Sequence, residues 1–280
     1  MRRKIADCRR NAAGIDSQPE SVTVAHTRSP YPRYLLDLDP ELAADMDVRM
    51  RLVARRSATA VVFAAPPGEL QLRRWLALTV GGPGLLVLTG ALVSYARVLD
   101  RVVAELIGKG DLLQAVRDAD GEEFLACDLS WSVLQPARFA ILDARFADQV
   151  RRWPQVTHAL LRRGELRLNH LAVQRAIAAQ PRLEVRLLLV LWHLAARWGR
   201  VEPGGLRLPL PLTHVLLGRL VGAERPSVTH ALKRLSAAGL VNGAEGGWRL
   251  RGTVEEHLDS LGASQAVRRL VPAEIARRAR

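Results

Sequence analysis

Between Tyr34 and Asp143 the apolar residues come in short runs cut by turn-formers. Ala60-Val61-Val62-Phe63 ends at Pro66-Pro67-Gly68, and Gly84-Leu85-Leu86-Val87-Leu88 ends at Thr89-Gly90. Ala104-Glu105-Leu106-Ile107 ends at Gly108-Lys109-Gly110-Asp111, while Trp131-Ser132-Val133-Leu134 runs on toward Ile141-Leu142. Strands of this length at this spacing predict an antiparallel barrel or sandwich. Residues 75–96 form a stretch of 22 positions without a charge, long enough to cross a bilayer. Gly81-Gly82-Pro83-Gly84 interrupts it where lipid would offer no replacement hydrogen bonds, so two strands joined by a glycine-rich turn are predicted instead of a membrane span. Residues 1–30 show no period and read as a flexible arm.

After Trp153 the texture changes. Pro154 suits a first helical turn, no proline follows until Pro181, and Val156, Leu160, Leu161, Leu168, Leu171 and Ile177 mark a partial apolar stripe. A long helix within residues 151–180 is predicted, and its narrow stripe needs a partner, either a twin helix of a second copy or the strands before it. From Pro181 a second helix carries Leu187-Leu188-Leu189-Val190-Leu191-Trp192, apolar on every side and therefore buried, to near Gly199. Leu206-Arg207-Leu208-Pro209-Leu210 alternates like a short strand and leads into Thr213, a residue type that caps helices.

Residues 213–238 then follow the grammar of a helix-turn-helix: a short helix to Val221, a tight turn at Gly222-Ala223-Glu224, and a second helix with Pro226 in its first turn. Val228, Ala231, Leu232 and Leu235 fall on one face and must pack inward. The opposite face carries Pro226, His230, Lys233 and Ala237, flanked by Thr229 and Arg234, with Arg225 just before the first turn and Ser227 nearer the inward edge. Donors, hydroxyls and positive charge with little bulk suit a helix lying in a major groove. Residues 244–250 make a glycine-turned hairpin that reads as a wing, where Arg249 and Arg251 are placed for the phosphate backbone.

The charge distribution sharpens this reading. The chain of 280 residues carries a net +13, from 38 arginines and 3 lysines against 28 acids, so polyanions are the first partners to consider. Residues 31–150 hold 13 basic and 16 acidic side chains, whereas residues 151–180 hold 6 and 1 and residues 181–251 hold 11 and 4. An acidic module followed by a basic one is the asymmetry expected when sensing and binding of double-stranded DNA are separated. Two cysteines, Cys8 and Cys127, fit neither a disulfide framework nor a zinc site, and the basic start Met1-Arg2-Arg3-Lys4 lacks an apolar segment behind it. A reducing cytoplasm is the expected location.

Residues 212–235, especially Val221-Gly222-Ala223-Glu224-Arg225, resemble the DNA-binding segment of the Crp/Fnr transcription regulators, a bacterial family. Residues 84–90 and 105–113 resemble strands and turns of that family's N-terminal β-roll, the cyclic-nucleotide-binding fold. The resemblance implies an α+β fold. Its parts are an arm (1–30), an antiparallel β-roll (31–150), a dimerisation helix (151–180), a winged helix-turn-helix (181–252) and a C-terminal tail (253–280). It implies a homodimer, with RNA polymerase as a further candidate partner. Arg225 and His230 occupy places where the family contacts base edges, and Pro226 stands where an acidic residue often follows. Ser227, Thr229, Lys233, Arg234 and Arg249 complete the DNA-binding set, divided between backbone and weaker base contacts.

The sensor half departs from the family. Members that bind cyclic AMP carry an Arg-Ser or Arg-Thr pair after a Gly-Glu-Leu turn. Here the turn is Gly110-Asp111-Leu112, residues 118–130 contain no arginine, and Arg117 follows Asp111 too closely. A buried phosphate without a charge-assisted partner is poorly held, which argues against cyclic AMP and leaves the effector unknown. Two cysteines cannot supply the four thiolates of an iron–sulfur cluster, and no histidine lies between His26 and His158 to ligate haem in the β-roll. No cofactor is indicated, and His193, in an apolar helix, is expected to pack. The acids Asp118, Asp120, Glu122 and Glu123 read as a solvated loop. Two rival functions stand beside this one, an architectural protein that coats DNA without sequence choice and an enzyme. For an enzyme, no nucleophile elbow, metal-binding helix motif or phosphate-binding loop is present.

Overall fold

The computed structural model describes residues 28–114 and 127–261. The predicted arm up to residue 27, Cys8, Arg117, the acidic cluster at 118–123 and the tail from residue 262 lie outside the described residues. Strand β1 (Arg28–Tyr34) is followed by two short helices, α1 (Leu35–Leu38) and α2 (Val48–Ser57), joined through a 3-10 turn at Pro40–Ala43. Then come β2 (Thr59–Ala65), β3 (Gly68–Glu69), α3 (Leu72–Ala77), β4 (Gly84–Val98), β5 (Arg101–Gly108), β6 (Leu112–Leu113) and β7 (Asp128–Leu142). These strands form one antiparallel sheet in the order β1-β2-β7-β4-β5, with β3 beside β7 and β6 beside β4.

Alternation along the strands gives the sheet two apolar faces. Val62, Leu86, Leu88, Ala140 and Leu142 pack under α1, α2 and the helices after β7. Phe63, Leu85, Val87, Phe139 and Ile141 fill the other side, where the Phe63 ring stacks on Trp75 at 3.8 Å and on Phe139 at 4.9 Å. The uncharged stretch 75–96 is thus part helix and part strand, not two strands. Trp75 and Leu76 sit in α3, where Leu72 and Leu76, one turn apart, are buried against the sheet. Residues 28–30 belong to β1 and not to an arm, because they extend a strand already paired with β2. Among the described residues no helix is long and apolar enough to cross a membrane.

Helix α4 (Ala144–Val150) leads to α5 (Pro154–Ala178), which lies along the sheet, and to α6 (Leu183–Trp198), whose apolar run is buried as predicted. Beyond come β8 (Arg200–Glu202), β9 (Gly205–Leu208), α7 (His214–Val221), α8 (Arg225–Ala237), β10 (Val241–Ala244), β11 (Gly247–Leu250) and α9 (Val254–Ser260). The second sheet runs β10-β11-β9-β8. One apolar core joins α6, α7, α8 and this sheet to Ala91, Val93, Ala104 and Leu106 of β4 and β5, so the C-terminal module is seated on the first sheet. Gln135 Nε2 donates to Pro209 O (2.6 Å) and Gln174 Nε2 to Ala104 O (2.6 Å), tying the two modules further.

The tail predicted from residue 253 is corrected over its first turns. Thr253 and Glu256 form a reciprocal capping box: Glu256 N donates to Thr253 Oγ1 (3.2 Å) and Thr253 N to the Glu256 carboxylate (2.9 Å). The helix so started buries Val254 and Leu258 in the core of the C-terminal module. His257 is also buried, and its Nδ1 accepts from Trp192 Nε1 (3.2 Å), which requires that nitrogen to be unprotonated. Burial holds the His257 pKa below its ordinary value, consistent with that neutral ring.

Candidate nucleic-acid interface

Thr213 caps α7, its hydroxyl accepting from Leu216 N (3.2 Å). The helix ends at Gly222, which takes the left-handed conformation (φ +66°) that a β-carbon would oppose. Gly218 matters to the same turn, since a Cβ there would meet Ala223 O at 2.3 Å. Glycines at these two positions let the chain reverse within three residues and start α8 at Arg225.

Val228, Ala231, Leu232 and Leu235 of α8 are buried, as the spacing predicts. On the other side Arg225, Pro226, Ser227, His230, Lys233 and Arg234 are exposed, and Thr229 is half-buried at the edge. Most of the predicted set is therefore brought together on one helix face, but its members differ in freedom. The Thr229 hydroxyl donates to Arg225 O (3.0 Å), so the 2.9 Å contact between its oxygen and His214 Nδ1 has the ring nitrogen as donor. Thr229 thus links α7 to α8. His230 Nδ1 donates to Pro226 O (2.8 Å), which orients the ring and leaves Nε2 outward. Arg234 is ion-paired with Glu184 in the first turn of α6.

Arg249 lies apart from this cluster. Trp248 and Leu250 turn into the core, so Arg249 is on the opposite face of the small sheet, beside Arg207 in register and 3.3 Å from Glu202 Oε2. Glu202 also takes Arg207 at 3.4 Å. Three partners escaped the sequence reading, namely His214, Glu184 and Glu202. Each meets its arginine or threonine only through packing of separate elements, and no local spacing marks it.

In the N-terminal module the turn at Gly108–Asp111 is held to α6, with Arg197 Nη2 donating to Lys109 O (2.8 Å). Asp111 is buried, accepting from Gly108 N (2.8 Å) and paired with Arg197 Nη1 (2.8 Å). Arg167 of α5 is paired with Glu105 (2.8 Å), and Arg163 with Asp39 (3.1 Å) and Glu41 (2.8 Å). A cavity of about 570 Å³ lies between this turn, α5 and α6, and His170 and His193 are among its walls. Burial first, then the neighbouring His170 and Arg197, push the His193 pKa down to about 4, so the ring is neutral at pH 7. Among the described residues no group of histidine, cysteine and acidic side chains is arranged to hold a metal.

Residues 185–256 match the family model of the Crp-like helix-turn-helix domain. The C-terminal module is a Crp-like helix-turn-helix domain. The match reaches past the wing into α9, in keeping with the packing of that helix. FixK2 from Bradyrhizobium japonicum is similar in structure to 72% of this chain and 96% of its own length, at 18% identity and a TM-score of 0.52. CprK in complex with OCPA is similar over 76% of this chain and 94% of its own, at 12% identity and a TM-score of 0.51. A cyclic nucleotide-binding domain containing protein from Listeria monocytogenes covers 59% and 78%, at 16% identity and a TM-score of 0.50. At such identities the likeness is one of fold. No curated protein sequence matches the chain. The Crp-like domain bears out the resemblance read in residues 212–235, and the neighbours share the α+β fold of the chain.

Proposed function

We propose that the protein is a homodimeric, sequence-specific transcription regulator that inserts α8 of each Crp-like domain into adjacent major grooves of a two-fold-related site. The observation that carries this reading is the open face of α8, where Arg225, Ser227, His230 and Lys233 stand exposed together while the opposite face is fully buried. Arg225 at the helix start is suited to bidentate reading of guanine, and His230 presents Nε2 to a base edge. Thr229 and Arg234, engaged within the fold, support the helix and flank its base-reading face; Arg249 reaches the phosphate backbone only by exchanging Glu202 for it. For dimerisation, Leu161 and Leu168 lie one heptad apart on α5 and are 61% and 67% exposed, a seam that a twin helix would cover. Half-sites about one helical turn apart follow from such a dimer. The reading places the protein in the cytoplasm, acting on RNA polymerase through DNA and without catalysis of its own.

The test is selection of bound sequences from a random DNA pool by the purified protein, repeated with Arg225→Ala. A two-fold-related motif is expected, and the substitution should cost ~1–3 kcal/mol on it while relaxing one base position. Equal loss on specific and random DNA would refute the role of Arg225. Binding without enrichment, falling only as salt rises, would favour a non-specific DNA coat.

A further inference from the structure

The β4–β5 hairpin carries an arginine to the DNA-facing end of α8. Its turn is two residues long, Leu99-Asp100, with Val98 opposite Arg101. Arg101 Nη1 lies 2.8 Å from Glu224 Oε1, the residue immediately before Arg225. The approach is built into the fold. The hairpin stem shares the apolar core of the Crp-like domain through Ala91, Val93, Ala104 and Leu106. Arg219 of α7 stacks over Tyr95 (5.0 Å), and Gln174 Nε2 bridges Ala104 O and Leu220 O at 2.6 and 3.4 Å.

We infer that Arg101 is a DNA phosphate contact contributed by the N-terminal module, held ready by Glu224 at the entrance of the recognition helix. This rests on the reading that α8 enters the major groove. Two arguments favour it over a clasp that restrains the domain. Both side chains are about three-quarters exposed, and water screens such a pair so far that it adds little to the apolar core beneath it. The pair also covers nothing, because the outward face of α8 is already open. When that face meets DNA, the phosphates flanking the groove attract Arg101 and repel Glu224. The guanidinium, whose Nε also lies 3.9 Å from Asp100 Oδ2, then exchanges the Glu224 carboxylate for a phosphate.

The experiment measures binding of the full-length protein to the selected duplex and to a random duplex over a series of salt concentrations. The variants are Arg101→Ala, Glu224→Gln and the two together. Arg101→Ala should weaken both duplexes alike and lower the slope of log affinity against log salt by about one. The same loss should persist in the Glu224→Gln background. An unchanged or raised affinity, a loss confined to the selected sequence, or a loss that vanishes with Glu224→Gln would each overturn the inference. If the unaltered protein binds neither duplex even at low salt, the DNA-binding reading itself fails; if it binds and Arg101→Ala behaves identically, only this inference does. Unchanged circular dichroism of each variant confirms that folding is intact.

Discussion

Replacing His193 with glutamine should remove one source of the protein's sensitivity to acid, beside the lowered His170 and His257. The His193 ring meets His170 edge-on, with centroids 5.5 Å apart, at the joint of α5 and α6, where Arg197 also bears on it. Its pKa is lowered from 6.5 to about 4. Above pH 6.5 the ring is neutral both folded and unfolded, and it leaves stability unaffected. As the pH falls below 6.5 the unfolded chain takes up a proton that the folded ring refuses, so stability is lost between 6.5 and about 4. The full gap corresponds to about 3 kcal/mol, of which about 2 kcal/mol is lost by pH 5. Urea unfolding at pH 7 and pH 5 measures this directly: the unaltered protein should lose about 2 kcal/mol more than His193→Gln. Equal losses in the two proteins, or a His193 ring signal titrating near 6.5 by NMR, would refute the argument. A joint weakened in this way lies between the predicted dimerisation helix and the Crp-like domain, so acid is expected to loosen the coupling of the two before either unfolds.

Thr253→Ala removes one half of the capping box of α9 and should cost about 1 kcal/mol in urea unfolding, with faster hydrogen exchange at residues 254–258. An unchanged midpoint would show that α9 is held by Val254 and Leu258 alone. Leu168→Glu alters a position exposed in the single chain, so the fold should persist while the α5 seam is broken. Sedimentation should then report a monomer, and affinity for the two-fold site should fall further than affinity for a half-site. A persistent dimer would place the interface elsewhere.

The amino-acid sequence determined the helix-turn-helix and the wing of the Crp-like domain, but neither β8 nor α9. Short-range periodicity set the buried face of α8, Thr213 and Gly222 set the ends of α7, and the glycines at 246 and 247 set the wing. Every one of these depends on residues a few positions apart, which a linear pattern displays. Short apolar runs displayed parts of the strands but not their length, since β4 continues through the predicted turn at Thr89-Gly90, where the register shifts and Gly90 takes φ +89°. Nor did an apolar run give any sign that Trp75 and Leu76 are helical, because a short buried helix and a buried strand share the same composition. The capping box of Thr253 with Glu256, three residues apart, marks a helix where a tail is expected from the sequence. What only the tertiary structure decided is the engagement of each polar group. Arg234 finds Glu184 across 50 positions of chain, Arg249 finds Glu202 across 47, and Arg101 reaches Glu224 across 123. Charge and residue type place such side chains on a surface, but which of them remain free for DNA depends on how separate elements pack, and packing is a property of the whole core.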